Sequence, residues 1–433
     1  MRIDHIEARS ILDTRGKPTV ETTLDAQQGS TLNPNPQGRT LLRATASVPS
    51  GKSTGSYEAC ELRDSDGSVA RAIENVNGEI ANALIDHDFN SLDELDSFLI
   101  NLDGTPDKSR LGANAILSVS IAAMRLSAML EDIPPWKSIA KRAGTTSSAP
   151  RLFVNVMNGG AHAHTPILAS REARPEGTMP NLVSGHADFK LPFQEYLLVV
   201  EGKTSAAFPI AQELFAKLGE RLGDGTPMGD EGGYAPIFET LEQPFEILTE
   251  LIKEFPNVKI AIDAAASELF KNGAYELLGK SYSPDELTNV YQGLASQFPI
   301  HSIEDPFTEN AGDDFARLTA SLDNNILIIG DDLTVTSPAR IKDAAKNKEI
   351  NAVLIKPNQI GTVKEALEAV QATYTAGFKA VASHRSGETM DTFIADFAYG
   401  IGAHGLKAGG FGQRERIVKY ERLLAIEREA ETV

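Results

Sequence analysis

Three acidic residues follow short apolar runs in this chain. Asp263 comes after Lys259–Ile262, Glu304 after Ile300–Ile303, and Asp331 just beyond Ile326–Ile329. Carboxylates gathered at one place repel unless a cation lies among them, and an oxygen-only donor set suits a hard ion, Mg2+ before Zn2+. Each acid taken alone reads as a solvated or helix-capping residue; three in register favour a metal. Lys356 and Lys407 end later apolar runs. Neighbouring cations and a metal lower a lysine's pKa, and a lysine neutral near physiological pH is a general base. His384, Arg385 and Ser386 follow the run Ala380–Ala382, and a guanidinium fork beside a hydroxyl suits a phosphate. Glu231 lies in the glycine-rich turn Gly229-Asp230-Glu231-Gly232-Gly233. It would donate a proton if something kept it protonated, as a neighbouring carboxylate such as Glu195 would. His162 and His164 lack a third ligand for a transition metal. The loop Ser50–Gly55 contains Gly51-Lys52-Ser53, but Ala46 stands where a P-loop needs its first glycine, so a flexible loop or plain linker is the better reading.

The elements that position these groups are legible from pattern. Ala352–Ile355 and Ala380–Ala382 are too short for helices, and between them Val363, Ala366, Val370 and Tyr374 recur at helical spacing. That is strand, helix, strand, the crossover unit of a parallel sheet. Similar units recur from about residue 259 to the run around Leu406, with helices near 240–254, 284–297, 338–347, 363–376, 389–400 and 414–430. A polar residue ends nearly every strand, which points to a (β/α) barrel with its site at the C-terminal rim. An open doubly wound sheet is the alternative, but no GxGxxG opens a helix after a strand. Ahead of this region, Ile3–Ala8, Thr19–Leu24 and Leu41–Val48 read as a β-meander with a polar loop at Gln27–Thr40. Helical pattern then runs from about Val69 to Ala143, with the apolar Ala113–Leu130 buried. The expected organisation is an α+β N-terminal domain over 1–145 and a barrel over 146–433, divided near Gly144–Pro150.

Bulk composition narrows the function class. The chain has 433 residues, 41% hydrophobic and 23% charged, as expected of a soluble globular protein. No apolar run reads as a membrane span, and the charged start MRIDHIEARS lacks a signal peptide's apolar core, so a cytoplasmic protein is expected. Cys60 is the only cysteine, which rules out an intrachain disulfide and Cys-based metal clusters. A net charge of −19 disfavours nucleic-acid binding and means that an anionic substrate must be held by local cations.

With these residues assembled, the chain resembles the enolase family along nearly its whole length. The matching stretches include ARSILDTRGKPTVE, VPSGKSTGSYEACELRD, LGANAILSVS, NVMNGG, PFQEY, GDEGGYAP, SIEDPF, DDLTVT, IKPNQIG, SHRSGET and KYERLLAIE. The resemblance implies a modified (β/α)8 barrel behind an α+β domain. It also implies a lyase of glycolysis that interconverts 2-phosphoglycerate and phosphoenolpyruvate through an enediolate, and a homodimer or larger assembly of dimers. Asp263, Glu304 and Asp331 match the ligands of a first Mg2+, and Ser53 the ligand of a second that binds with substrate. Lys356 matches the base and Glu231 the acid, with Glu195 beside it. His162, Gln194, His384, Arg385, Ser386 and Lys407 match substrate-binding positions. Arg9 and Glu415 match an ion pair across the subunit interface, while the arginine expected to meet Glu21 is replaced by Ala425. Other departures are Lys52 for the usual alanine of the loop, Tyr57 for a histidine, Met390 for an acid, AGGFGQRER after Lys407, and a long insert around Pro166–Lys190. That insert is expected to be a surface loop at the rim. A superfamily relative acting on another carboxylate and a non-catalytic role are the alternatives. SHRSGET and Ser53 speak for a phosphorylated substrate and two metals.

Overall fold

The computed structural model describes residues 1–28, 40–52, 54–85, 87–163, 191–323 and 325–432. The insert at 166–190, His164, Ser53 and most of the predicted loop at 27–40 lie outside the described residues.

The chain opens with an antiparallel meander of β1 (His5–Leu12), β2 (Pro18–Gln28) and β3 (Thr40–Ser47). In β2 alternate residues Val20, Thr22, Leu24 and Ala26 are buried, the period of a strand with one covered face. The cover is the helix Ala113–Leu130, which packs on β2 and β3. Thr22 and Ser118 share a 2.6 Å hydroxyl hydrogen bond inside that contact. This helix is in fact long and apolar enough to cross a bilayer, against the expectation from sequence, but 78% of it is buried in the protein. Its apolar surface is spent on the core.

The second part of the chain closes a barrel. Its strands are β4 (Arg151–Asn158), β5 (Glu195–Val200) and β6 (Val258–Asp263). A small antiparallel sheet follows, of β7 (Phe270–Lys271), β8 (Ala274–Leu277) and β9 (Lys280–Tyr282). The barrel then continues with β10 (Ile300–Glu304), β11 (Leu327–Gly330), β12 (Ala352–Ile355), β13 (Lys379–Ser383) and β14 (Gly405–Lys407). The ring order is β10-β11-β12-β13-β14-β4-β5-β6. Side chains alternate around it: Ala352 and Leu354 join Phe153, Leu197, Val199 and Ile329 inside the barrel. Val353 and Ile355 pack outward on the helices.

The sequence reading located β6 and β10 to β14 but not β4 or β5, nor the helices Thr204–Leu222 and Gly312–Ser321. It expected parallel strands, yet β5 runs antiparallel to both β4 and β6. The reversal is what puts Glu195 at the rim. It begins its strand rather than ending it, and sits opposite Asp263. The crossover helices start where their caps lie. Ser283 and Glu286 form a capping box on Pro284–Gln297, and the Thr362 side chain accepts from Glu365 N at 3.1 Å to open Val363–Thr375. Each such cap stabilises by about 1 kcal/mol. The N-terminal part docks on that second helix through Ser120 Oγ, which accepts from Val363 N at 3.0 Å, and the Lys108–Glu365 ion pair at 2.9 Å.

Candidate active site at the barrel rim

Parallel register delivers the predicted groups to one end. Glu304 pairs with Asp263 on one side and Ile329 on the other, and Ser383 pairs with Lys407. The buried Lys407 Nζ donates to Asp263 Oδ2 at 3.0 Å and to both oxygens of Glu304 at 2.9 Å, and lies 3.2 Å from Glu195 Oε1. One ammonium thus faces three buried carboxylates. Burial, and then the neighbouring acids, push Glu304 and Glu195 well above the carboxylate range. Asp263 is buried too, but Lys407 holds it below that range.

Asp331 is fixed by a separate set. Lys356 Nζ donates to its Oδ2, and Gln359 Nε2 donates to its Oδ1 at 2.9 Å. Thr336 Oγ donates to Gln359 Oε1 at 2.7 Å and accepts from Lys356 N at 2.9 Å, tying lysine and glutamine together. Burial pushes Lys356 down, but Asp331 outweighs it and holds the lysine above its usual value. The depressed lysine expected from sequence is therefore not produced by the protein groups alone, because its nearest charge is an anion.

Glu231 is placed by close backbone approach. A Cβ on Gly229 would lie 2.5 Å from Asn158 Cβ, and one on Gly233 would lie 2.6 Å from Asn155 Oδ1, so the turn must be glycine to sit on β4. Asn155 Nδ2 donates to Glu231 Oε2 at 3.2 Å. His162 Nδ1 is 3.3 Å and His384 Nε2 3.5 Å from the carboxylate, close but without hydrogen-bond geometry. Burial raises Glu231, yet the two histidines outweigh it and bring the acid well below its usual range. Of this carboxylate pair it is Glu195 that is raised and Glu231 that is lowered, the reverse of the sequence expectation. Glu195 is ringed by Glu231, Asp263 and Glu304, whereas Glu231 is ringed by donors.

His384 has a set tautomer. Arg416, fully buried, donates through Nη1 to His384 Nδ1 and to Arg385 O, and through Nη2 to Ser386 O at 2.7 Å. Nδ1 therefore accepts and Nε2 carries the hydrogen, facing Glu231. Arg385 is held by both oxygens of Glu58 at 2.9 and 3.0 Å. A Cβ on Gly51 would fall 2.1 Å from its Nη2, so Gly51 lies directly against the guanidinium. Ser386 Oγ accepts from Arg15 Nη1 at 3.3 Å, and Arg15 also pairs with Asp13 at 3.0 Å. Lys52 Nζ meets Asp230 Oδ2 at 2.5 Å, next to Glu231.

His162, Gln194, Glu195, Glu231, Asp263, Asp331, Lys356, His384, Arg385, Ser386 and Lys407 line one cavity of about 40 Å3. It has room for a few waters and little more. Gln194 Oε1, Glu195 Oε2, both ring nitrogens of His162 and His384 Nε2 are buried there without hydrogen-bond partners, as expected of groups that await a ligand. Among the described residues, three-acid or acid–histidine groupings tight enough for an ion are Asp305–Asp331–Asp332 and His162–Glu195–Glu231. Asp263, Glu304 and Asp331 do not converge as tightly, because the Lys407 and Lys356 ammoniums lie against them. Asp305 is committed elsewhere: its two oxygens accept from Asp331 N at 2.9 Å and Asp332 N at 2.8 Å. What remains is an excess of buried carboxylate, which a hard divalent cation fits.

The sequence reading did not single out Arg15, Glu58, Asp305, Gln359 or Arg416. All five lie inside stretches quoted above, but nothing in their local pattern distinguishes them from ordinary polar residues.

Comparison with known proteins bears on the whole chain. The family described as Enolase, N-terminal domain, matches residues 3–139, and Enolase, C-terminal TIM barrel domain, matches residues 176–432. A relative named Enolase, from Methanopyrus kandleri, is 39% identical over 445 aligned residues, covering 98% of this chain and 95% of its own. A three-stranded sheet before an eight-stranded barrel, a rim of paired acids and lysines, and matches at this length agree: the chain belongs to the enolase family.

Proposed function

We propose that this chain catalyses the Mg2+-dependent, reversible dehydration of 2-phosphoglycerate to phosphoenolpyruvate, as a cytoplasmic glycolytic lyase. The observation that carries the reading is the placement of Lys356 and Glu231. Lys356 follows β12, while Glu231 packs beside β4 and β5, and β5 is half-way round the ring from β12. An anti elimination uses a base and an acid on opposite sides of the substrate, and the positions of Lys356 and Glu231 support that reading.

The roles follow from the positions. Lys356 Nζ takes the proton beside the substrate carboxylate. Glu231 delivers a proton to the departing hydroxyl, resupplied by Glu195, whose carboxylate lies within 4.8 Å of it, with His162 and His384 Nε2 orienting that side. Arg385 and Ser386 hold the phosphate, Gln194 and Lys407 the rest of the anion. Two Mg2+ ions, one held by Asp263, Glu304 and Asp331 and one by Ser53, would supply positive charge for the substrate carboxylate. The proposal includes the division at 145/146 and a homodimer. Arg9 pairs with Glu21 of its own chain at 2.6 Å, leaving its side chain 73% exposed at the edge where a partner would dock. A dimer at micromolar concentration is the expected light-scattering result; a monomer alone would contradict it.

The direct test is turnover. Purified protein with Mg2+ should convert 2-phosphoglycerate to phosphoenolpyruvate, stop when a chelator is added, and resume with fresh Mg2+. Folded, Mg2+-supplied protein without turnover would remove the reading.

The Lys52–Asp230 pair ties the segment that carries Lys52 to the turn that carries Glu231, so it bears on access to the rim. Lys52 is partly exposed, so the pair contributes about 1 kcal/mol at most. Lys52→Ala should raise KM roughly fivefold with little change in kcat, through loss of the contact that steadies that segment. An unchanged KM would show that the pair plays no part in access.

A further inference from the structure

At the other end of the barrel, about a strand length or 15–20 Å from the rim, lies a second and larger cavity. Its volume is about 350 Å3, within the range of small-molecule sites. The walls come from the N-terminal ends of strands. Arg151 starts β4, Lys259 lies near the start of β6, Lys379 starts β13, His301 follows the first residue of β10, and His404 precedes β14. Glu201, just past the reversed β5, is the only carboxylate among the described lining residues. Three fixed cations against one anion leave a local charge of +2, in a chain whose net charge is −19. Gathering like charges around a concave mouth is unfavourable unless an opposite charge fills it.

The hydrogen bonds give this mouth a direction. Arg151 Nη2 donates to Glu201 Oε1 at 2.6 Å, and its Nη1 lies 3.3 Å from His404 Nδ1. An arginine only donates, so His404 Nδ1 accepts and its Nε2 carries the hydrogen. That hydrogen goes to His301 Nε2, 3.0 Å away. His301 must then carry its hydrogen on Nδ1, which has no hydrogen-bond partner among the described residues. Burial, followed by Arg151 and the nearby lysines, keeps both rings neutral, His301 pushed down to about 4 and His404 to about 3. The exposed Lys259 and Lys379 enter no ion pair with the described residues.

We propose that this N-terminal mouth is a binding site for a dianionic phosphate group, either inorganic phosphate or the phosphate of a small ester. Two negative charges match the local +2. Lys259 and Lys379 supply mobile ammonium donors, His301 Nδ1 a neutral donor, and Arg151, held by Glu201 and His404, a fixed positive charge. The site is separate from the rim, where Arg385 and Ser386 lie at the opposite strand ends.

The test uses the Mg2+-supplied enzyme with histidine labelled at Cε1. The chain has eight histidines, so the ring signals are few enough to assign. Inorganic phosphate should shift the His301 and His404 signals with a saturating curve distinct from that of His162 and His384, which report the rim. The double variant Lys259→Ala/Lys379→Ala should weaken the mouth response at least about tenfold while leaving the rim response and turnover as they were. Lys379→Gln alone, a milder change, should weaken it in the same direction. A parallel titration with glycerol phosphate separates the sources: tighter binding than inorganic phosphate assigns the site to an ester, equal or weaker binding to free phosphate. His301 and His404 signals that stay fixed when the rim is saturated, or that shift equally in the double variant, would overturn the proposal.

Discussion

Lys407→Met should lower the stability of the metal-free protein by about 3–5 kcal/mol and abolish turnover. Lys407 is 3% exposed and, among the described residues, is the one ammonium within ion-pair distance of Glu195, Asp263 and Glu304 together. Removing one partner of a buried ion network leaves the others desolvated and mutually repelling, which is where a cost of that size arises. The acids can relieve part of it by taking up protons, so the lower end of the range is expected at acidic pH. Mg2+ should restore part of the lost stability, because a ligand that binds the folded state stabilises it by mass action. Thermal unfolding with and without Mg2+ reads both effects. An unchanged melting temperature would mean that the three carboxylates are not held by this lysine.

Lys356→Ala should lower kcat by about 10²–10⁴-fold or more, the contribution of a positioned general base, while the protein stays folded. The fold should survive because Asp331 keeps its hydrogen bond from Gln359 Nε2 at 2.9 Å, and Gln359 remains anchored by Thr336. The loss should appear in kcat rather than KM, since the lysine acts on the proton in flight and not on the bound ground state. A raised KM with kcat preserved would make Lys356 a charge-neutralising contact, with the base elsewhere.

How much of this was legible in the sequence differs by residue. Asp263, Glu304, Lys356, His384 and Lys407 were legible because an apolar strand that ends in a polar side chain marks a rim in a parallel barrel. Glu195 escaped the same logic. It begins an antiparallel strand, so the polar residue precedes the apolar run. The small sheet from Phe270 to Tyr282 has strands of two to four residues, too short to carry a period. Supporting groups were hidden for another reason: their role exists only across long separations. Glu58 meets Arg385 over 327 positions, and Arg15 meets Ser386 over 371. Protonation was the least legible property. The sequence places Glu195 beside Glu231 but does not say that His162 and His384 flank one acid while three carboxylates crowd the other.

Exchange of the substrate's C2 hydrogen with solvent separates the roles proposed for the two walls of the rim. The measurement follows that exchange in the Mg2+-supplied wild type, Lys356→Ala and Glu231→Gln. With Lys356→Ala exchange and product should fall together by about 10²–10⁴-fold or more, and with Glu231→Gln exchange should continue without product, because proton removal on one wall does not require the acid on the other. Exchange that survives in Lys356→Ala, or that disappears in Glu231→Gln while substrate still binds, would contradict it.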